Sequence, residues 1–313
     1  MPKLNIDILN IFLILLSGIF AYKLPFQTFL AVYAFLGPLH YLTEINWLQQ
    51  RNYFLNHKNN VFYLFVPILL IGSIVYISSL TFLKTYIPFL IFFTFLVAIF
   101  NSTQNEKLHK NWKFILFICI GFTIAYYFRK GFHIAFSIFL PSLIHVFIFT
   151  GIFILSGFLK TRNKLSLLTF IVFIVTSFLL LTDNMNSAFF MEDIQNKYIP
   201  FEELNNAVFK IFNKEILASQ DIYFSSFGIR IMQFITFAYT YHYLNWFSKT
   251  SIIQWHKTSK TKISIILIIW VLSILLYIYN YNTGLYWLYL LSLSHVILEF
   301  PLNITTVKNL IKK

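Results

Sequence analysis

Residues 263–281 read Ile-Ser-Ile-Ile-Leu-Ile-Ile-Trp-Val-Leu-Ser-Ile-Leu-Leu-Tyr-Ile-Tyr-Asn-Tyr, without one charged side chain. Wound as a helix at about 1.5 Å per residue, such a run covers the roughly 30 Å hydrocarbon core of a bilayer. The same pattern recurs along the chain. Ten spans are expected, at 6–22, 26–48, 61–82, 86–101, 112–128, 132–159, 165–182, 228–248, 263–281 and 284–306. The runs are continuous, unlike the short alternating segments of a transmembrane barrel. Composition agrees: the 313 residues are 58% hydrophobic and only 11% charged, against about a quarter charged in soluble domains. The expected fold class is therefore all-α, a polytopic transmembrane helical bundle forming one integral membrane domain over 1–313. The first run follows Lys3 but lacks a small-x-small cleavage site, so it reads as a retained helix and not a signal peptide.

Charge orients the spans. With the N-terminus in the cytoplasm, 16 of the 24 Lys and Arg residues fall in inner loops and 8 outside. The positive-inside rule then puts both termini in the cytoplasm, and the expected location is the bacterial inner (plasma) membrane. The net charge of +13 is the bias of inner loops beside anionic lipid, and calls for no nucleic-acid partner. The stretch at about 183–227 is locally acidic and reads as a small external cap, with a short amphipathic helix starting near Phe201. The single cysteine, Cys119, lies in an apolar run and excludes an intrachain disulfide. The chain has no P-loop, Gly-x-Ser-x-Gly, His-Glu-x-x-His or Asp-x-x-x-Asp pattern, so nucleotide hydrolysis, serine hydrolysis, zinc proteolysis of the usual kind and prenyl transfer have no support.

Against this apolar background the ionisable residues stand out. Of eight histidines, His57, His109 and His256 fall in basic inner loops and His133 at the outer start of the sixth span; these read as solvated. His40, His145, His242 and His295 lie inside spans. All four spans run from outside to inside, and the histidines lie 14, 13, 14 and 11 residues from their outer ends. That places them within about 5 Å of one another in depth. Two have a carboxylate four residues on, Glu44 after His40 and Glu299 after His295, on the same helix face. An ionisable group at membrane depth costs at least about 2.5 kcal/mol and usually faces a site. Pro38, Pro141 and Pro301 lie within four residues of these groups and bend helices.

Histidine is the commonest transition-metal ligand, and a ligating imidazole usually gives its other N–H to a carboxylate or carbonyl. The expected metal ligands are His40, His145, His242 and His295. Glu44, Glu299 and Asn245 are the residues expected to support them through hydrogen bonds. Tyr41, Tyr241, Tyr243 and Trp246 are expected to line a substrate channel.

The stretches Gly37-Pro38-Leu39-His40-Tyr41-Leu42-Thr43-Glu44 and Leu293-Ser294-His295-Val296-Ile297-Leu298-Glu299 resemble two signatures of the Brp/Blh membrane β-carotene 15,15'-dioxygenases. The first is similar to that family's Pro-His-Gly-x-x-Asp, with the proline displaced by one residue, Tyr41 in place of glycine and Glu in place of Asp. A family helix with two histidines one turn apart has no counterpart here, since His242 is followed by Asn245 and Trp246. The resemblance implies Fe(II) held by transmembrane histidines, O2 as co-substrate, and cleavage of a carotenoid or similar apolar polyene to aldehydes such as retinal. The residues alone leave other readings open: zinc in place of iron, haem b between two histidines for electron transfer, a His/Glu proton relay in a transporter, or polar residues that only hold helices together.

Overall fold

The computed structural model describes residues 6–51, 53, 58–103, 111–182, 192–212, 220–249, 253–254 and 256–311. Among them the secondary structure is helical, with no strand. We number the helices α1 (Ile6–Lys23), α2 (Pro25–Gln50), α3 (Phe62–Tyr76), α4 (Ile87–Thr103), α5 (Trp112–Tyr127), α6 (Arg129–His133), α7 (Thr150–Thr161), α8 (Lys164–Thr182), α9 (Glu192–Tyr198), α10 (Glu202–Ile211), α11 (Gln220–Phe224), α12 (Ser226–Ser248), α13 (Lys260–Tyr279) and α14 (Tyr281–Ile311). Between α6 and α7 the chain continues as a π-helix, Ile134–Phe149.

Among the described residues, six helical stretches are long and apolar enough to cross a membrane: Ile6–Lys23, Phe82–Ser102, Gly131–Thr161, Lys164–Thr182, Lys260–Tyr279 and Tyr281–Ile311. Helices α3 and α5 are apolar but shorter. The remaining two long helices, α2 and α12, fall below the others in apolar character for a local reason. They carry Gln27, His40, Thr43, Glu44 and Asn46, and Gln233, Thr236, Thr240, His242 and Asn245. Helix α13 shows where the apolar surface points: only 6% of it is buried. Water would penalise so large an exposed apolar face, and lipid would not.

The chain divides into two compact units, one of Met1–Gly37 with Ser142–Gln254 and one of Pro38–Pro141 with Trp255–Lys313. The first two of the three crossings fall at prolines inside helical segments, Pro38 and Pro141, and the third follows Gln254. At the second, Ser142 departs from helical geometry (φ −113°, ψ −105°). Pro141 supplies no N–H, so the normal ladder cannot run through it, and the wider π-winding takes up the misfit.

In the first unit α1 packs on α8 and α12, and α7 and α12 pack on α8. Its apolar centre is Ile14, Ile154, Phe173, Leu180 and Phe237, with Tyr241 among them. Polar ties cross this core where a lipid-facing helix would have none. Gln233 Nε2 donates to the Tyr22 carbonyl at 3.0 Å, and Thr236 Oγ1 to that of Pro25 at 2.7 Å. Helices α9 and α10 belong to the same unit, and their aromatic residues bury against the start of α2. The Tyr198 ring meets Phe26, Phe29 and Phe201 with centroids 5.0, 5.5 and 5.7 Å away, and its hydroxyl donates to Asn205 at 2.6 Å. Residues 183–191 and 213–219 of the expected cap lie outside the described residues.

In the second unit α14 packs against α3, α4 and α13. Trp287 Nε1 donates to Ser273 Oγ at 2.7 Å, joining α14 to α13, and Phe95 and Phe300 pack edge to face at 5.3 Å. The turn between α13 and α14 depends on Gly284. A Cβ there would lie 2.3 Å from the Tyr277 Cα, a backbone atom that cannot swing aside. Gly284→Ala is expected to lower stability by about 1–3 kcal/mol, the usual cost of overpacking. Thermal unfolding of purified protein in detergent measures this; an unchanged midpoint would show that the turn relaxes.

Candidate metal centre

The second unit places two of the expected ligands side by side. His40, on α2, and His295, on α14, are both buried, with ring centroids 5.3 Å apart. Each offers one ring nitrogen, and the two nitrogens lie within 4.8 Å of each other. Metal–imidazole bonds run at about 2.0–2.1 Å, so two nitrogens at this spacing need only a small adjustment to share one ion.

The polar contacts around the rings favour the tautomers such an ion needs. His40 Nε2 lies 3.0 Å from Glu44 Oε2, one turn along α2. A carboxylate there draws the proton to Nε2 and leaves the lone pair on Nδ1. His295 works the other way: Nδ1 lies 2.5 Å from the Ser292 carbonyl oxygen, which can only accept. The proton is therefore on Nδ1 and the lone pair on Nε2. Each imidazole is thus held by one nitrogen and left able to ligate through the other, the arrangement that metal-binding histidines use. Tyr41 adds a further restraint, stacking on the His295 ring at 4.3 Å and 23°.

Glu299 is also buried, and its side chain is in hydrogen-bond contact with that of Glu44. Asn303 Nδ2 donates to Glu299 Oε2 at 3.3 Å. The i, i+4 spacing thus delivers Glu44 to its own histidine, whereas the Nδ1–H of His295 goes to a main-chain carbonyl and Glu299 reaches the Glu44 side of the cluster.

The first unit holds the other two histidines. His145, in the π-helical segment, and His242, on α12, face each other with ring centroids 4.9 Å apart at 66°. Thr150 Oγ1 lies 2.8 Å from His242 Nδ1. The hydroxyl can either donate to that nitrogen or accept from it, so this contact holds the His242 ring in place without fixing its tautomer. The two histidines outside the spans that are described, His133 and His256, are exposed; His57 and His109 lie outside the described residues.

The remaining expected residues are distributed more widely. Tyr243 lies against the His242 ring at 5.6 Å, and Trp246 is buried one turn further on. Tyr241 points to the core of the first unit, where it packs on Phe173 and Phe237, and its hydroxyl lies 3.3 Å from Asn10 Oδ1 and 3.5 Å from Asn245 Oδ1. Three contributors go beyond the expected set. Asn303 is four residues after Glu299, so helical spacing carries that signal. The Ser292 carbonyl and the Thr150 hydroxyl do not announce themselves, one being main chain and the other 92 positions from its partner. No family model, curated protein or solved structure matches this chain.

Proposed function

We propose that this chain is an integral membrane non-haem iron oxygenase that cleaves a carotenoid or similar apolar polyene to aldehyde products. One observation carries the reading: His40 and His295 are buried as neighbours, each with one ring nitrogen beside an acceptor, Glu44 Oε2 or the Ser292 carbonyl, which favours a lone pair on the other nitrogen. A nitrogen-rich donor set suits Fe(II), and zinc less specifically. His145, which is buried, and His242, which is partly buried, face each other in the first unit and are the remaining ligands expected from the sequence. The resemblance of residues 37–44 and 293–299 to the Brp/Blh signatures supports both the metal and the substrate class.

Bound Fe(II) would supply O2 activation at the double bond to be cleaved. The protein's own share is binding and exclusion of water. His40 and His295 hold the ion, and Glu44 fixes the His40 ring. Tyr41, Tyr243 and Trp246 are the proposed aromatic walls for the polyene; Tyr241, which points into the core of the first unit, is not among them. The helices enter the bilayer in this reading as ten spans, with both termini cytoplasmic and 183–227 external, in a bacterial inner membrane.

Elemental analysis of the purified protein is the first test, with iron expected near one equivalent per chain. Incubation with β-carotene under air should then yield an aldehyde product. Protein without iron that gives no aldehyde overturns the proposal, and a Soret band would replace it with a haem protein. Topology has its own check: tags at both termini should be reachable only from the cytoplasm, and a reporter within 183–227 only from outside. Internal labelling of that segment would reverse the orientation.

A further inference from the structure

Away from the histidines, the first unit contains a cavity of about 320 Å³. Its walls come from four helix ends: the start of α1, the end of α7, the start of α8 and the end of α12. All four ends lie on one side of the unit. In a membrane protein that level is the headgroup layer, so this inference rests on the membrane reading of the chain, though not on the iron site.

The cavity is polar where apolar filling would be expected. Its buried floor carries Asn10, Tyr241 and Asn245, and its mouth is at Thr161 and Asn163, which are exposed. Both signs of charge line it. Asp7 accepts from Asn163 Nδ2 at 3.0 Å and from Ser166 Oγ at 2.9 Å, which fixes the carboxylate on one wall. Lys249 supplies an ammonium from the residue that caps α12. Burial pushes the Lys249 pKa down to about 8, even though Asp7 pulls it up. The carboxylate therefore offsets only part of what the ammonium loses on leaving water, and a further anionic group in the cavity would supply the rest. Outside the mouth, the α7–α8 turn carries Lys160, Arg162 and Lys164, all exposed, which attract phosphate to this end of the unit.

A lone anion would meet the Asp7 carboxylate as well as the Lys249 ammonium. A zwitterion with an ammonium two carbons from a phosphate ester complements both. We infer that this cavity binds a phosphoethanolamine group, with the phosphate on Lys249 and the amine on Asp7. Two sources share that chemistry: the headgroup of an ethanolamine phospholipid, and free phosphoethanolamine from the aqueous side.

Native mass spectrometry of the purified full-length chain, mixed with equal amounts of ethanolamine, choline and glycerol phospholipids, reads the preference directly. Ethanolamine lipid is expected to be retained at least about 10-fold over the choline lipid, whose trimethylated amine cannot donate hydrogen bonds to Asp7. A thermal-shift titration with free phosphoethanolamine forms the second arm. Stabilisation there without lipid retention assigns the site to the soluble ester, and retention without stabilisation assigns it to the lipid; either supports the site. Lys249→Met should remove the preference, and Lys249→Arg should keep it. Because Lys249→Met could disturb folding, Gly157→Leu provides an independent variant. Gly157 lines the cavity, an added Cβ there meets nothing within 4 Å, and both charges remain. It should abolish retention while the unfolding midpoint holds. Equal retention of all three lipids together with no response to phosphoethanolamine overturns the inference, as does an unchanged preference in Gly157→Leu. Iron content measured on the same variants separates this result from the fate of the oxygenase proposal, since none of them touches a histidine.

Discussion

Alanine at His40 or at His295 is expected to leave the purified protein without iron. The two rings sit within reach of one ion, and each is committed through one nitrogen to a fixed acceptor. Removing either ring takes away a ligand and leaves its acceptor, Glu44 or the Ser292 carbonyl, without that donor. A buried polar group stranded in this way costs about 1–3 kcal/mol, so some loss of stability should accompany the loss of metal. His40→Gln separates the two effects, because its amide can still donate toward Glu44 while offering a much poorer ligand. Iron content below about a tenth of the wild-type value in all three variants, with His40→Gln still folded, is the outcome that fits. Full iron in either alanine variant would remove this pair from the metal site. His145→Ala and His242→Ala should also reduce iron. Full retention in both would leave the second pair as packing residues joined through Thr150.

How far the sequence discloses this arrangement differs from residue to residue. Helices such as α8 and α13 are legible because an apolar run has a minimum length that only a membrane requires, and that length survives in the composition. Helices α2 and α12 are legible as helices but not as ordinary lipid-facing ones, and the polar residues that lower their apolar character are those that build the sites. The His40–Glu44 contact follows from spacing, since both residues sit on one face of one helix. The partner of each ring's second nitrogen does not. Ser292 contributes a main-chain oxygen, which every residue possesses, and Thr150 meets His242 across 92 positions. Pro141 marks a bend, but the non-helical Ser142 and the π-winding on either side depend on how the broken ladder is repaired. The polar cavity is the least legible element. Asp7, Asn163 and Lys249 each stand at a helix end, where a polar residue is ordinary. Only the packing of α1, α8 and α12 makes them neighbours.

Glu44→Gln is expected to weaken iron binding by about 10–100-fold without abolishing it, the usual effect of altering a residue that orients a ligand. The geometry gives the reason. Glu44 Oε2 lies 3.0 Å from His40 Nε2, and a glutamine oxygen can take the same place beside the ring as an uncharged acceptor, so the ring keeps its orientation. What disappears is negative charge next to the imidazole. That charge raises the basicity of the ligating nitrogen and partly neutralises a divalent ion in a medium that penalises unpaired charge. Glu299→Gln should have the smaller effect. Its side chain meets Glu44 and Asn303, and a glutamine amide there can donate to the Glu44 carboxylate. Its influence on iron therefore passes through Glu44. Competition with a metal chelator, followed by iron quantitation, orders the variants: wild type tightest, then Glu299→Gln, then Glu44→Gln, with His40→Ala empty. Two results would count against this account. Glu44→Gln indistinguishable from wild type would mean that the carboxylate only packs the helix. Glu44→Gln as empty as His40→Ala would make Glu44 itself a ligand, and the 3.0 Å contact with His40 would then be a feature of the metal-free arrangement alone.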